Sequence, residues 1–155
     1  MKNSILFFIL LILIPVFYAC SLNSSQEKSL NKHFGLYIQS LRNKSTLVQV
    51  SMTHPAFVKY IKSKGNHYFK TNFSSNPKEE YPEFFYPKIE KIEFDKNNIH
   101  VLYEVQKDYI YYGENKIDSL KIVAISENDG KNWYFVNYSL YSNKDICKNV
   151  PRLLK

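Results

Sequence analysis

The spacing of hydrophobic residues changes twice along this chain. Residues 5–16 form an almost unbroken apolar run. Residues 26–42 and 51–61 carry apolar side chains at helical intervals, with a break at residues 43–49, and from Pro87 onward apolar and polar residues alternate. A spacing of three to four residues indicates amphipathic helices, whereas alternation indicates strands with one buried face. The pattern therefore predicts helices first and a sheet afterwards, which is an α+β fold.

The first helix is predicted from about Gln26 to Arg42. Ser24 and Glu27 have the spacing of a capping box, in which each side chain satisfies a backbone N–H of the first turn. The apolar stripe behind this cap is formed by Leu30, Phe34, Tyr37 and Leu41.

A second helix is predicted to begin near Thr53 as its cap, with Pro55 in the first turn, where a missing N–H is tolerated. Gly65 should end it, because glycine favours the left-handed conformation found after helix ends. Phe57 belongs to its predicted buried face. Residues 67–86 are predicted as an ordered connection with short helical pieces.

Four strands are predicted in the second half, at residues 89–95, 99–111, 117–126 and 132–140. Their connections are short, so successive strands should pair antiparallel as a meander. In the second strand, Ile99, Val101, Tyr103 and Val105 should face the core. The predicted architecture is two or three N-terminal helices packed on a curved antiparallel sheet of at least four strands.

The apolar run at the N-terminus has the features of a secretory signal peptide. Lys2 precedes it, Ala19 and Cys20 follow it, and its length falls short of the roughly 20 residues of a membrane span. We therefore divide the chain into a signal peptide (1–19), a polar tether (20–28), a single domain (29–143) and a C-terminal tail (144–155).

The end of this run, from Ile14 to Cys20, resembles the lipobox of bacterial lipoproteins, although Phe17 and Tyr18 depart from the usual aliphatic pattern. The resemblance implies cleavage before Cys20 and acylation of its thiol, for example with palmitate. Each buried methylene of such a chain contributes about 0.8 kcal/mol to membrane binding. The expected location is outside the cytoplasm, anchored to a bacterial membrane, which is the outer membrane in a Gram-negative cell.

Two alternatives to lipidation stay open. Cys20 and Cys147 are the only cysteines, and an exported domain often closes a disulfide. In an ordinary secreted protein the two would tie the ends of the domain together. In the second alternative, the apolar run is not cleaved and itself anchors the protein to the membrane.

Composition and charge narrow the class of partner. The chain is 45% hydrophobic and 16% aromatic with a net charge of +7, which fits a folded domain that favours anionic surfaces. The lysines look scattered and no nucleic-acid motif is present, so no nucleic-acid partner is predicted. Glu79, Glu80 and Glu83 lack the pattern of a calcium loop, so neither a metal site nor a cofactor is predicted.

Two stretches resemble the nuclear transport factor two-like, cystatin-like superfamily. Residues 51–57, Ser-Met-Thr-His-Pro-Ala-Phe, are similar to the second helix of bacterial members, and residues 126–135 contain Asp-Gly-Lys-Asn-Trp-Tyr-Phe, similar to a hairpin near their C-termini. The resemblance implies helices packed into the concave face of a bent sheet, leaving a conical pocket. The pocket candidates are Tyr37, Phe57, Tyr103 and Trp133.

No catalytic residue set matches a family motif, so we predict a noncatalytic envelope lipoprotein that binds a small hydrophobic molecule, a lipid or a protein. One alternative is an immunity or inhibitor protein against a toxin or lysin, which should expose an apolar patch around Tyr109, Tyr111 and Tyr112. The other is a dehydratase or isomerase, which needs a buried acid or histidine beside a tyrosine in an enclosed cavity. His54 could act as a base, but no Asp, Ser or Cys stands at a recognised spacing from it.

Overall fold

A computed structural model describes residues 21–73, 84–143 and 153–154. The first part consists of helices, and the second consists of a sheet followed by one helical turn. The elements in chain order are α1 (Ser24–Arg42), α2 (Thr46–Met52), α3 (Pro55–Ser63), α4 (Asn66–Phe73), β1 (Phe84–Asp95), β2 (Asn98–Tyr111), β3 (Glu114–Ser126), β4 (Tyr134–Asn137) and α5 (Tyr138–Tyr141). The predicted α+β class, with its helices N-terminal to the sheet, is confirmed.

The four strands form one antiparallel sheet in the order β1-β2-β3-β4, as predicted for a meander. The β2–β3 hairpin turns through Tyr112 and Gly113, which both have positive φ values of 52° and 79°. A two-residue turn of this kind matches the natural twist of the flanking strands. In the edge strand β1, the register shifts between Ile89 and Lys91.

One face of the sheet is covered by α1. Phe34 stacks on Tyr103 with ring centroids 4.3 Å apart, and Tyr37 stacks on Phe135 at 4.8 Å. Stacked aromatic pairs of this kind contribute about 0.5–1.5 kcal/mol beyond the area that they bury. The inward side chains of β2 complete this cluster as predicted, namely Ile99, Val101, Tyr103 and Val105.

The other face of the sheet is covered by α3, α4 and α5. Phe57 and Ile61 of α3 pack with Val123 and Ile125 of β3. The expectation that the helices occupy a single concave face is therefore corrected. The physical reason lies in β3, whose last five residues are buried without alternation, so both faces of its inner half need apolar cover.

The short helix α2 carries the chain from one face to the other. Met52 packs against the cluster on the α1 side of the sheet, which includes Phe34 and Tyr103 and is called the α1 cluster. Val50 packs against the cluster on the other side, which includes Phe57 and Ile61 and is called the α3 cluster. Thr53, which follows α2, forms an isolated parallel bridge with Phe135 of β4. This crossing was not predicted from the sequence, because the helical spacing of apolar residues is interrupted at residues 43–49.

The first helix begins earlier than predicted. Its capping box is formed by Asn23 and Gln26 rather than Ser24 and Glu27: the Asn23 side chain accepts the Gln26 N–H, and the Gln26 side chain accepts the Asn23 N–H, both at 2.9 Å. The helix thus begins at Ser24, inside the segment of residues 20–28 that was predicted as a tether. Leu22 also packs against the α1 cluster.

The second predicted helix also has a different cap. His54, not Thr53, precedes α3, and its Nδ1 accepts the backbone N–H of Ala56 at 3.3 Å. Thr53 instead donates from its hydroxyl to the carbonyl of Gln49 at 2.8 Å, within the preceding helix. Gly65 has a φ of 95° directly after the α3 cap, so the predicted end of this helix is confirmed.

The fourth strand is shorter than predicted. It ends at Asn137, whose side chain accepts the backbone N–H of Ser139 at 2.9 Å and so starts α5. A side-chain cap of this type stabilises the first turn of a helix. Trp133 lies just before the strand, where its indole N–H donates to the carbonyl of Gly130 at 3.0 Å.

Replacing Gly130 should test the contact between α1 and the β3–β4 loop. A Cβ at Gly130 would lie 2.6 Å from Cγ of Gln26, whereas a Cβ at Gly113 would meet nothing within 4 Å; both glycines have a φ of 79°. We expect Gly130→Ala to lower the free energy of unfolding by about 1–3 kcal/mol more than Gly113→Ala, because only the first adds overpacking to the shared backbone strain. Urea unfolding followed by Trp133 fluorescence measures both, and equal losses would contradict this packing.

Candidate functional site

The four predicted pocket residues lie in the core, on two faces of the sheet. Tyr37, Tyr103 and Trp133 lie together in the α1 cluster, and Phe57 lies in the α3 cluster on the other face. All four are buried. Burial raises the pKa of Tyr37 to about 12, and burial followed by the charge of Glu27 raises the pKa of Tyr103. These side chains are core residues of the described domain.

The most exposed part of the sheet is its far end, which we call the sheet extension: residues 84–89 of β1, 106–111 of β2 and 114–119 of β3. The first six residues of β3 are exposed, whereas the last five are buried. The strands therefore continue beyond the helices that cover their inner halves. An ordered sheet surface of this kind is available for contact with a partner.

Two open grooves lie along the sheet extension. They have volumes of about 520 and 340 Å³, and both are lined by Tyr86 and Ile117. Tyr86 is 52% exposed and Ile117 is 70% exposed. In the register, Tyr86 is opposite Gln106, Gln106 is opposite Ser119, and Ile117 is opposite Asp108, so these residues share one face of the sheet.

Polar side chains form the floor between these two apolar residues. Gln106 donates to Asp108 at 3.0 Å, and Ser119 donates to Glu104 at 3.1 Å. Farther towards the core, the ammonium of Lys121 donates to Glu90 at 2.8 Å, and this hydrogen bond raises the pKa of Lys121. The surface thus combines apolar contacts with aligned hydrogen-bonding groups, as protein interfaces do.

The opposite face of the sheet extension carries the predicted tyrosines. Tyr109 donates to Asp118 at 2.9 Å, and the ammonium of Lys107 lies 4.3 Å from the centre of the Tyr109 ring. Tyr111 contacts Tyr112 in a T-shaped arrangement, and Tyr112 is 68% exposed at the turn. The predicted tyrosines thus lie on the sheet extension, but on the face opposite the grooves. The sequence did not point to Tyr86, which fell in a predicted connection, or to Ile117, whose exposure its alternating neighbours did not reveal.

A second candidate is a buried polar cluster between α3, β2 and α5. Nδ1 of His100 lies 2.7 Å from the hydroxyl of Tyr141, which also accepts the backbone N–H groups of Leu153 and Leu154. The Tyr141 proton is therefore assigned to the bond with Nδ1, which places the His100 hydrogen on Nε2. Nε2 is buried and makes no hydrogen bond.

His54 extends this cluster towards the surface. Its Nε2 lies 3.2 Å from Oε1 of Glu127, although the N–H direction is not aligned for a hydrogen bond. Burial, and then the nearby His54, lower the pKa of His100 to about 4. The histidine and tyrosine that an enzyme would need do meet here, but neither residue lines the two grooves of the sheet extension.

Several predicted features lie outside the described residues, including Cys20, Cys147 and the acidic residues 79–83. Within the described ranges, no group of His, Cys, Asp and Glu has metal-binding geometry, and no helix is long and apolar enough to span a membrane. Comparisons with family models, curated proteins and solved structures gave no match to this chain.

The buried His100 should make stability depend on pH. Its pKa in the folded state is about 4, below the ordinary 6.5, so the unfolded chain binds the extra proton as the pH falls. From pH 6.5 down to pH 4, this group should lower the free energy of unfolding by about 3 kcal/mol. His100→Asn keeps an acceptor near Nδ1 but does not titrate. Urea unfolding at a series of pH values should therefore show a weaker pH dependence in the variant; identical slopes would contradict the assignment.

Proposed function

We propose that the protein is an exported, membrane-anchored and noncatalytic binding protein, and that its sheet extension binds a protein partner. The observation that carries the proposal is the pair of grooves that share Tyr86 and Ile117, on a part of the sheet that the described helices do not cover. Exposed apolar side chains beside aligned polar groups are typical of interaction surfaces.

Anchoring is supported by the N-terminal sequence, in which an apolar run ends at Ala19 and Cys20. Helix α1 begins at Ser24, so only residues 21–23 separate Cys20 from it. Three extended residues span at most about 11 Å. A lipid on Cys20 would thus hold the domain close to the bilayer, which is a shorter separation than the predicted tether of residues 20–28 implied.

A protein partner is favoured over a small molecule for a geometric reason. The aromatic residues that were expected to line a pocket are buried in the core on the two faces of the sheet. The grooves on the sheet extension are open along the strands and are bordered by hydrogen-bonded polar side chains. Such a surface suits an extended contact with another folded protein better than the enclosure of a small ligand.

Substitutions on the sheet extension should separate binding from folding. We expect Ile117→Asp and Tyr86→Ala each to reduce recovery of a partner by at least about tenfold, because residues at the centre of an interface carry about 2 kcal/mol or more. The measurement is affinity purification from detergent-solubilised envelope, with retained proteins identified by mass spectrometry. Leu36→Asp, on α1, is the matched control at an exposed apolar site elsewhere.

Retention of the same proteins by all three variants would overturn the assignment of this surface. Identification of a toxin or lysin among the retained proteins would select the immunity or inhibitor function. A small molecule retained without a protein would contradict a protein partner.

Anchoring is tested by the mass of the mature N-terminus. We expect an acylated peptide that begins at Cys20, and release of the Cys20→Ser variant from the membrane fraction after alkaline or high-salt washing. A mature chain that begins at Ser21, or one without acyl chains, would contradict lipidation. A bridge between Cys20 and Cys147 would appear as a mass loss of two hydrogens that reduction reverses.

A further inference from the structure

An open groove of about 450 Å³ lies between α2 and α3, outside the sheet extension. Val50, Pro55 and Val58 provide its apolar lining, and Lys59 and Lys62 add two cations. Both lysines are exposed, and within the described ranges neither forms an ion pair. The groove therefore combines apolar surface with positive charge that no carboxylate of the described domain neutralises.

The apolar surface continues from this groove along α2. Leu47 is 84% exposed and Val48 is 41% exposed. They precede Ser51, which lines the groove, by four and three residues, so they are its neighbours on the helix surface. The most exposed large hydrophobic side chain of the described residues thus lies next to the cationic groove.

Acidic and basic residues are distributed unequally between the helical segment and the sheet segment of the chain. Residues 28–73 contain eight Lys or Arg and no Asp or Glu, whereas residues 84–143 contain seven Lys and nine Asp or Glu. The exposed apolar residues of α2 and the lysines of α3 therefore meet no carboxylate from their own helices. Apolar side chains beside unneutralised cations suit contact with an anionic lipid surface.

We propose that α2 and α3 dock on the surface of a lipid bilayer that contains anionic lipids. Leu47 and Val48 enter the boundary between headgroups and acyl chains, and Lys59 and Lys62 contact the anionic headgroups. The inference deepens the proposed function, since it rests on the domain being held at a membrane.

The test uses tryptophan as a probe of depth. Trp133 is the only native tryptophan and is buried, so Leu47→Trp adds a single exposed indole. The full chain, purified from the envelope, is reconstituted with vesicles of phosphatidylcholine alone or of equal parts phosphatidylcholine and phosphatidylglycerol. Both kinds contain brominated acyl chains, which quench an inserted indole. Ile117→Trp, at an exposed apolar position of the sheet extension, is the matched control.

We expect strong quenching of the tryptophan at position 47 only in vesicles with phosphatidylglycerol, and its loss at about 0.5 M salt, where charges are screened within a few ångströms. The indole at position 117 should show the same weak quenching in both lipids. Adding Lys59→Gln and Lys62→Gln should weaken the preference for the anionic vesicles by roughly fivefold for each lysine.

Flotation of the vesicles in the same samples separates this inference from anchoring. Flotation with both lipids but equal quenching in both would overturn docking and leave anchoring supported. Flotation with the anionic vesicles alone, with quenching at position 47, would support docking and count against the lipid anchor. Absence of flotation with both lipids would overturn both, and quenching that survives the two glutamine substitutions would overturn the role of the lysines.

Discussion

The inner half of β3 is the constraint on which the rest of the structure depends. Residues 122–126 are buried on both faces, so helices have to cover each side of the sheet. Covering both sides requires the chain to pass around one edge, which it does through α2 and Thr53 beside β4. The outer half of β3 is polar, and it is this half that forms the sheet extension. One strand thus determines both where the core lies and where the sheet is left open.

Much of the fold was predictable because strand alternation and helix periodicity are local signals. The inward set of β2, the end of α3 at Gly65 and the meander follow directly from spacing and turn residues. The caps were misplaced because several polar residues in succession can cap a helix, and tertiary contacts select among them. Gln26 is held by Asp129 at 2.8 Å, a contact 103 residues away, which fixes Asn23 as the cap.

The candidate site was less predictable for a different reason. Three of the four predicted pocket residues, Tyr37, Tyr103 and Trp133, lie together, but aromatic residues give the same sequence pattern whether they line a cavity or fill a core. Stacking of Phe34 on Tyr103 decides the matter in favour of a core. The exposure of Ile117 was not predicted, because apolar and polar residues alternate in the same way in a strand covered by helices and in an exposed strand. Only the position of the helices distinguishes the two kinds of strand.

The unequal distribution of charged residues between helices and sheet is not obvious from the order of residues in the chain. Read one at a time, the lysines look scattered, but the carboxylates are absent from residues 28–73 and concentrated in the sheet. Because helices α1 to α4 precede the sheet in the chain, this division of charge separates the helices on both faces from the sheet between them. The cationic surface of α2 and α3 and a sheet extension that carries both signs have different electrostatic requirements for their partners. The two surfaces are therefore suited to separate tasks, contact with an anionic bilayer through α2 and α3 and contact with a protein through β1 to β3.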